Sequence, residues 1–211
     1  MIDHQFQLKH YAGLFLLVCA VILASIQPLE MESYLLHQIG TLIILVTLVF
    51  CLKKIGLSFC SFTLYIGFLL IHILGAHYLY SYVPYNEWSI KWLGLDLNLH
   101  FSWQRNMYDR LVHFAYGLLL YPFFLRLFQA WLPQLSSKVL FLLVVQFVMA
   151  TSLVYEWIEW LIAIGLSPEE AENYNGQQGD IWDAHKDMFL ATIGAIMTGI
   201  IYLLKPNILE K

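Results

Sequence analysis

Residues 178–199 read QGDIWDAHKDMFLATIGAIMTG. Asp180, Asp183 and Asp187 stand at i, i+3 and i+7, and the same helical stripe continues through Ala191, Ala195 and Gly199. Small residues at every fourth position let helices approach closely within a membrane. The stripe is therefore expected to meet other helices rather than lipid, and to carry its aspartates into that seam. This one segment predicts an all-α, polytopic membrane helix bundle with acidic groups at one end. Gly176 and Gly179 ahead of it predict a turn, with Asp180 as the N-cap.

The rest of the chain agrees with a bilayer environment. Of its 211 residues 60% are hydrophobic and only 12% charged, and the mean hydropathy is +0.66, so there is too little polar surface to cover a soluble globule. Apolar runs long enough to cross roughly 30 Å of hydrocarbon lie at about 11–29, 35–52, 57–82, 111–132, 139–164 and 188–204, which gives about six transmembrane helices in a single integral-membrane domain, 1–211. The second run is the weakest, because its continuous apolar core begins only at Thr41 and turns polar at Lys53; a five-span chain is the alternative. The first run has a weak basic flank, Lys9, and a poor cleavage site at Ala24-Ser25-Ile26-Gln27, and reads as a retained span rather than a signal peptide.

Basic residues near span ends give an orientation. With six spans, Lys9, Lys53, Lys54, Arg126, Lys138, Lys205 and Lys211 share one side, and Lys91, Arg105, Arg110 and Lys186 the other. Both termini are thus expected in the cytoplasm of a bacterial cell, with the chain multi-pass in the inner membrane. Of fifteen acidic residues, only Asp3 and Glu210 fall on the cytoplasmic side. Trp88, Trp92, Trp103, Trp157, Trp160 and Trp182 map to the opposite, outer face and read as an interfacial aromatic belt. The 83–108 connection is apolar enough to form an interfacial helix or cap. Glu169, Glu170 and Glu172 read as solvated loop. Cys19, Cys51 and Cys60 have no paired spacing and read as small apolar fillers. A net charge of −4 and the lack of a basic stripe argue against nucleic acid as a partner, leaving membrane lipids; the oligomeric state is open.

Three segments converge on the outer face. YDRLVHFAYG (108–117) places Asp109, His113 and Gly117 on one stripe, SLVYEWIEW (152–160) places Ser152, Glu156 and Glu159 on one face, and the aspartate run completes the set. In IHILGAHYLY (71–80), His72 and His77 do not share a face, and His77 is nearer the expected interface. Carboxylates on membrane helices need partners, and like charges packed together need cations or protons to neutralise them. A divalent metal meets both needs. The expected ligands are His113, Glu156, Asp183 and Asp187; Asp180, Glu159 and Asp109 are candidate catalytic or supporting groups, and Arg110 and Lys186 candidate holders of a substrate phosphate. Oxygen-rich ligation with one histidine suits Mg²⁺ or Mn²⁺ and leaves Zn²⁺ or iron open. The corresponding function is a metal-dependent hydrolase or transferase acting on lipid or lipid-linked substrates.

Two other classes compete. Intramembrane carboxylates and histidines also build cation or proton pathways, but the charged residues stop well short of the cytoplasmic side. A scaffold whose polar stripe only specifies helix pairing is the third reading, with His72 as a satisfied polar residue of the bundle and single acidic residues as ion pairs or caps. The Asp-Gly and Ala-Arg elements of CDP-alcohol phosphotransferases are absent, as is a nucleophile elbow.

YDRLVHFAYGLLLYP, YEWIEW and GDIWDAHKDMFLATIGA together resemble the YjdF-type family of bacterial inner-membrane proteins over essentially the whole chain, most specifically at Arg110 and His113, Glu156 to Trp160, and Asp180 to Asp187. The resemblance implies a multi-pass inner-membrane location and brings no established activity. A weaker similarity, to VanZ-like membrane proteins, rests on an acidic-basic pair before a span histidine, a later glutamate and a final span opening with aspartates; Asp187 departs from that pattern.

Overall fold

Long apolar helices dominate the computed structural model, which describes residues 2–167, 171 and 174–205. In chain order these residues form a two-residue strand β1 (Ile2–Asp3), α1 (Leu8–Ala24), α2 (Met31–Lys54), β2 (Leu57–Ser58), α3 (Phe59–His77), α4 (Tyr85–Leu93), α5 (Leu97–Phe101), α6 (Tyr108–Trp131), α7 (Ser137–Gly165) and α8 (Asp183–Leu204). The chain is an all-α bundle with almost no sheet; β1 and β2 pair antiparallel, Ile2 opposite Ser58. Glu169, Glu170 and Glu172 lie outside the described residues.

Five helices, α2, α3, α6, α7 and α8, are long and apolar enough to cross a membrane. The sixth expected span, α1, has 17 residues, or about 25 Å of rise, at the lower limit for crossing. The weak member of the set is therefore the first helix and not the second. α2 runs unbroken for 24 residues because its polar side chains bond their own helix: His37 Nδ1 lies 2.6 Å from the Ser33 carbonyl, and Thr41 Oγ1 donates to the His37 carbonyl at 3.3 Å.

The expected boundaries shift in three places. α1 ends at Ala24, before Gln27 turns to a positive φ, and α3 ends at His77, before Leu79 and Tyr80 do the same. α8 begins at Asp183 rather than Met188, and its N-cap position is Trp182; Asp180 instead accepts the Trp182 N–H at 3.0 Å, bracing the turn before the helix. The 83–108 connection folds as α4 and α5. Asp96 caps α5 by accepting the Leu99 N–H at 2.9 Å, and the Tyr85 hydroxyl accepts the Met107 N–H at 3.0 Å, tying this segment to the start of α6.

α3 and α6 occupy the middle of the bundle. α1 and α2 pack on α3, α3 packs on α6, and α6 packs most extensively on α8, with α7 against both. The α6–α8 seam is backbone on backbone. A methyl group on Gly117 would run into the Ala191 carbonyl, and one on Gly194 into the Phe114 carbonyl. Pro122 lies inside α6 and supplies no N–H to the Leu118 carbonyl one turn back. The Thr198 hydroxyl of α8 donates to that carbonyl at 2.7 Å, restoring its partner across the seam.

Candidate functional site

Above the glycine seam, α6 and α8 present Asp109, Arg110, His113, Asp183 and Asp187, all buried. The i, i+4 spacing of Asp109 and His113 and the matching spacing of Asp183 and Asp187 put both pairs on the packed faces. Glu156 of α7 completes the group, its side chain 11% exposed.

The site has two halves. In the first, Arg105, Arg110 and Lys186 gather on Asp180 and Asp183: Arg110 Nη2 donates to Asp183 Oδ1 at 2.5 Å and to Asp180 Oδ2 at 3.0 Å. Arg105 Nη1 reaches the same Asp183 oxygen at 2.5 Å, and Lys186 Nζ donates to Asp180 Oδ2 at 2.6 Å. The hydrogen bond from Lys186 and that from the Trp182 N–H hold the Asp180 carboxyl below the usual carboxylate range. Arg105 is itself anchored on the Gly176 and Gln177 carbonyls, each at 3.0 Å. Gln178 pairs with the Asn106 backbone, accepting its N–H at 2.9 Å and donating to its carbonyl at 3.2 Å, so the two approaches to α6 and α8 are stitched together.

The second half is carboxylate-rich. His113 Nε2 lies 3.6 Å from Asp109 Oδ1 and 3.9 Å from Glu156 Oε1, and ligand atoms of Asp109, His113 and Asp187 all fall within 4.8 Å of one another. Arg110 Nη1 stands 3.4 Å from Asp187 Oδ1 without a hydrogen bond. Asp187 Oδ1 and Glu156 Oε1 are buried and accept no hydrogen bond from the described residues. Counting Asp109, Glu156, Asp180, Asp183 and Asp187 against Arg105, Arg110 and Lys186, five acidic groups face three permanent cations.

Of the nine residues expected at the site, Asp109, His113, Glu156 and Asp187 come together in the carboxylate half. Asp183 is taken up by two guanidinium groups, and Asp180, Arg110 and Lys186 form the ion-pair half. Arg110 and Lys186 also line a groove of about 480 Å³ with Arg105, Trp103 and Phe189. Glu159 lies nearly one turn beyond Glu156 on α7 and outside the Asp109–His113–Asp187 group. Trp157 and Trp160 point outward, 55% and 61% exposed.

Sequence reasoning missed Arg105, whose only signal is that it is one of four basic residues on a strongly acidic side. Of the two histidines of α3, neither joins the Asp109–His113–Asp187 group, and His72 is a satisfied polar residue of the bundle, as expected. His77 Nδ1 lies 2.8 Å from the Ala24 carbonyl, on the α1 side. His72 lies on the α6 side, its Nδ1 2.6 Å from the Tyr80 hydroxyl, because the turn after α3 folds Tyr80 back over the helix.

His72, Tyr80, Asp109 and His113 line one end of a cavity of about 280 Å³ between α2, α3, α6 and α7; Leu120, Phe123, Phe124 and Phe147 line the rest of its length.

No solved structure matches this chain. It is 29% identical over 184 residues, 87% of this chain and 84% of the relative, to the inner membrane protein YjdF of Escherichia coli (strain K12). The model of a family described as "Predicted membrane protein (DUF2238)" matches residues 10–206, nearly the full length, and this multi-pass chain belongs to that family.

Proposed function

We propose that this protein is an integral-membrane enzyme that uses a divalent cation held by Asp109, His113 and Asp187 to hydrolyse or transfer the head of a lipid or lipid-linked substrate. One observation carries the reading: three side chains able to ligate a cation, from two helices, converge within 4.8 Å in a buried site where Asp187 Oδ1 and Glu156 Oε1 accept no hydrogen bond from the described residues. Buried acceptors without partners are costly, and a cation satisfies several at once. The donor set of carboxylates with one imidazole favours Mg²⁺ or Mn²⁺ and accommodates Zn²⁺ or iron. Such an ion would polarise a phosphoryl or carbonyl oxygen and would acidify a bound water; Glu156, 3.9 Å from His113 Nε2, would be the proton acceptor beside it. Asp183 holds Arg110 and Arg105 beside the site, and Glu159 is a supporting acid. The name of the YjdF relative supports an inner-membrane location, and the distribution of lysines and arginines supports cytoplasmic termini and, with six spans, a site near the outer leaflet.

The deep walls of the neighbouring cavity, Leu120, Phe123, Phe124 and Phe147, favour a one-sided site over a cation conduit. The test is elemental analysis of detergent-purified protein after equilibration with Mn²⁺ and removal of excess. Wild type and Asp180→Asn are expected to retain stoichiometric metal, and Asp187→Asn and Asp109→Asn to lose it while remaining folded by circular dichroism. Wild-type protein with no metal above background overturns the proposal.

A further inference from the structure

The 280 Å³ cavity has the shape of an amphiphile. Ionisable groups, Asp109 and His113, stand at one end, and its walls then run along α6 to Phe124, fifteen positions on and about 22 Å farther along the helix axis. That depth covers most of a hydrocarbon core of roughly 30 Å. An apolar chamber of this kind does not hold water well. Its wall is breached on one side: Thr47, which lines the cavity, is also exposed, and it lies sixteen positions into α2, well inside the membrane-crossing helix. α2 packs chiefly on α3, and residues of both α2 and α7 line the chamber. The opening therefore gives onto lipid rather than water.

We propose that this chamber is the binding site for one acyl chain of a glycerophospholipid, which enters sideways past Thr47 and brings its phosphate-bearing head to Asp109 and His113. The placement of the head rests on the metal site proposed above, because a phosphate approaches those carboxylates only with a cation between them. The chain site itself depends only on the cavity. Glycerophospholipid is the occupant because it is the medium into which the opening faces.

The test uses the full chain in nanodiscs of phosphatidylethanolamine carrying a diazirine midway along one acyl chain. After irradiation, crosslinks are mapped by mass spectrometry. Labels are expected on Phe124 and Phe147, inside the chamber, as well as on outward residues such as Leu142. Filling the chamber by Thr151→Trp, or blocking its rim by Thr47→Trp, should cut the internal labels about tenfold and leave Leu142 unchanged. Thr47 is exposed, so the rim variant keeps the test decisive if the interior one fails to fold. Labels confined to outward residues, or internal labels indifferent to a folded rim variant, overturn the proposal. Manganese content measured on the same samples separates the two readings: internal labelling without metal removes the metal site and leaves the acyl site standing, and metal without internal labelling does the reverse.

Discussion

The Thr198 hydroxyl donates to the Leu118 carbonyl, the acceptor that Pro122 leaves without its own helical partner. A proline in mid-span of α6 is thus compensated by a side chain on a different helix. Thr198→Val should lower stability by about 1–3 kcal/mol. The same change in a Pro122→Ala background, where the N–H is restored, should cost less than half as much. Unfolding of the four proteins in detergent, read as a double-mutant cycle, checks this; equal costs in both backgrounds would mean that the hydroxyl does not serve that carbonyl.

Arg110 bonds to Asp180 and Asp183 and lies beside Asp187. Removing it leaves these acids facing each other with Arg105 and Lys186 as the remaining cations. Arg110→Met should destabilise the protein by about 3–5 kcal/mol, and Arg105→Met by less, since Arg105 is the more exposed of the two. Thermal melts of the two variants side by side give the comparison.

At the seam, Gly117→Ala should cost about 1–3 kcal/mol, because the new methyl meets the Ala191 carbonyl and backbone must move. Gly67→Ala on α3, where a methyl meets nothing within 4 Å, should be neutral or stabilising by about 0.5–1 kcal/mol. Melting temperatures of both variants check the contrast.

The carboxyl of Asp180 titrates below its ordinary value because Lys186 and the Trp182 N–H bond its charged form. A depressed folded-state value means that its contribution to stability is present above the unfolded value, about 3.9, and is lost as pH falls through the lower folded value. The stability difference between wild type and Asp180→Asn should therefore be constant near neutrality and shrink below about pH 4. Unfolding of both proteins across that range measures it; a difference that grows on acidification would be the opposite of what the clamp requires.

The aspartate stripe and the small-residue positions behind it were readable from the sequence because one helical period carries both, and the structure puts Asp183, Asp187, Ala191, Ala195 and Gly199 together on the buried face of α8. The contribution of α2 was harder to read: its polar opening residues look unsuited to a span until His37 and Thr41 are seen bonding their own helix. Arg105 and the choice between His72 and His77 were not legible, since both depend on where loops fold back. Arg105 reaches Asp183 across 78 residues of chain, and Tyr80 selects His72 through a turn of two left-handed residues that no periodicity announces. Gly194, whose backbone contact rivals that of Gly117, is off the four-residue repeat by one position and so escaped the stripe.

The closeness of α6 and α8 at Gly117 and Gly194 has a consequence for the chemistry at their acidic end. Two helices already touching through their main chains have no slack to draw nearer, and the same interlocked surfaces resist their sliding apart. Asp109, His113 and Asp187 are thereby mounted on a stiff frame. When charge at that end changes, the interlocked backbones hold the helices in place, and the adjustment falls to the side chains and their protons.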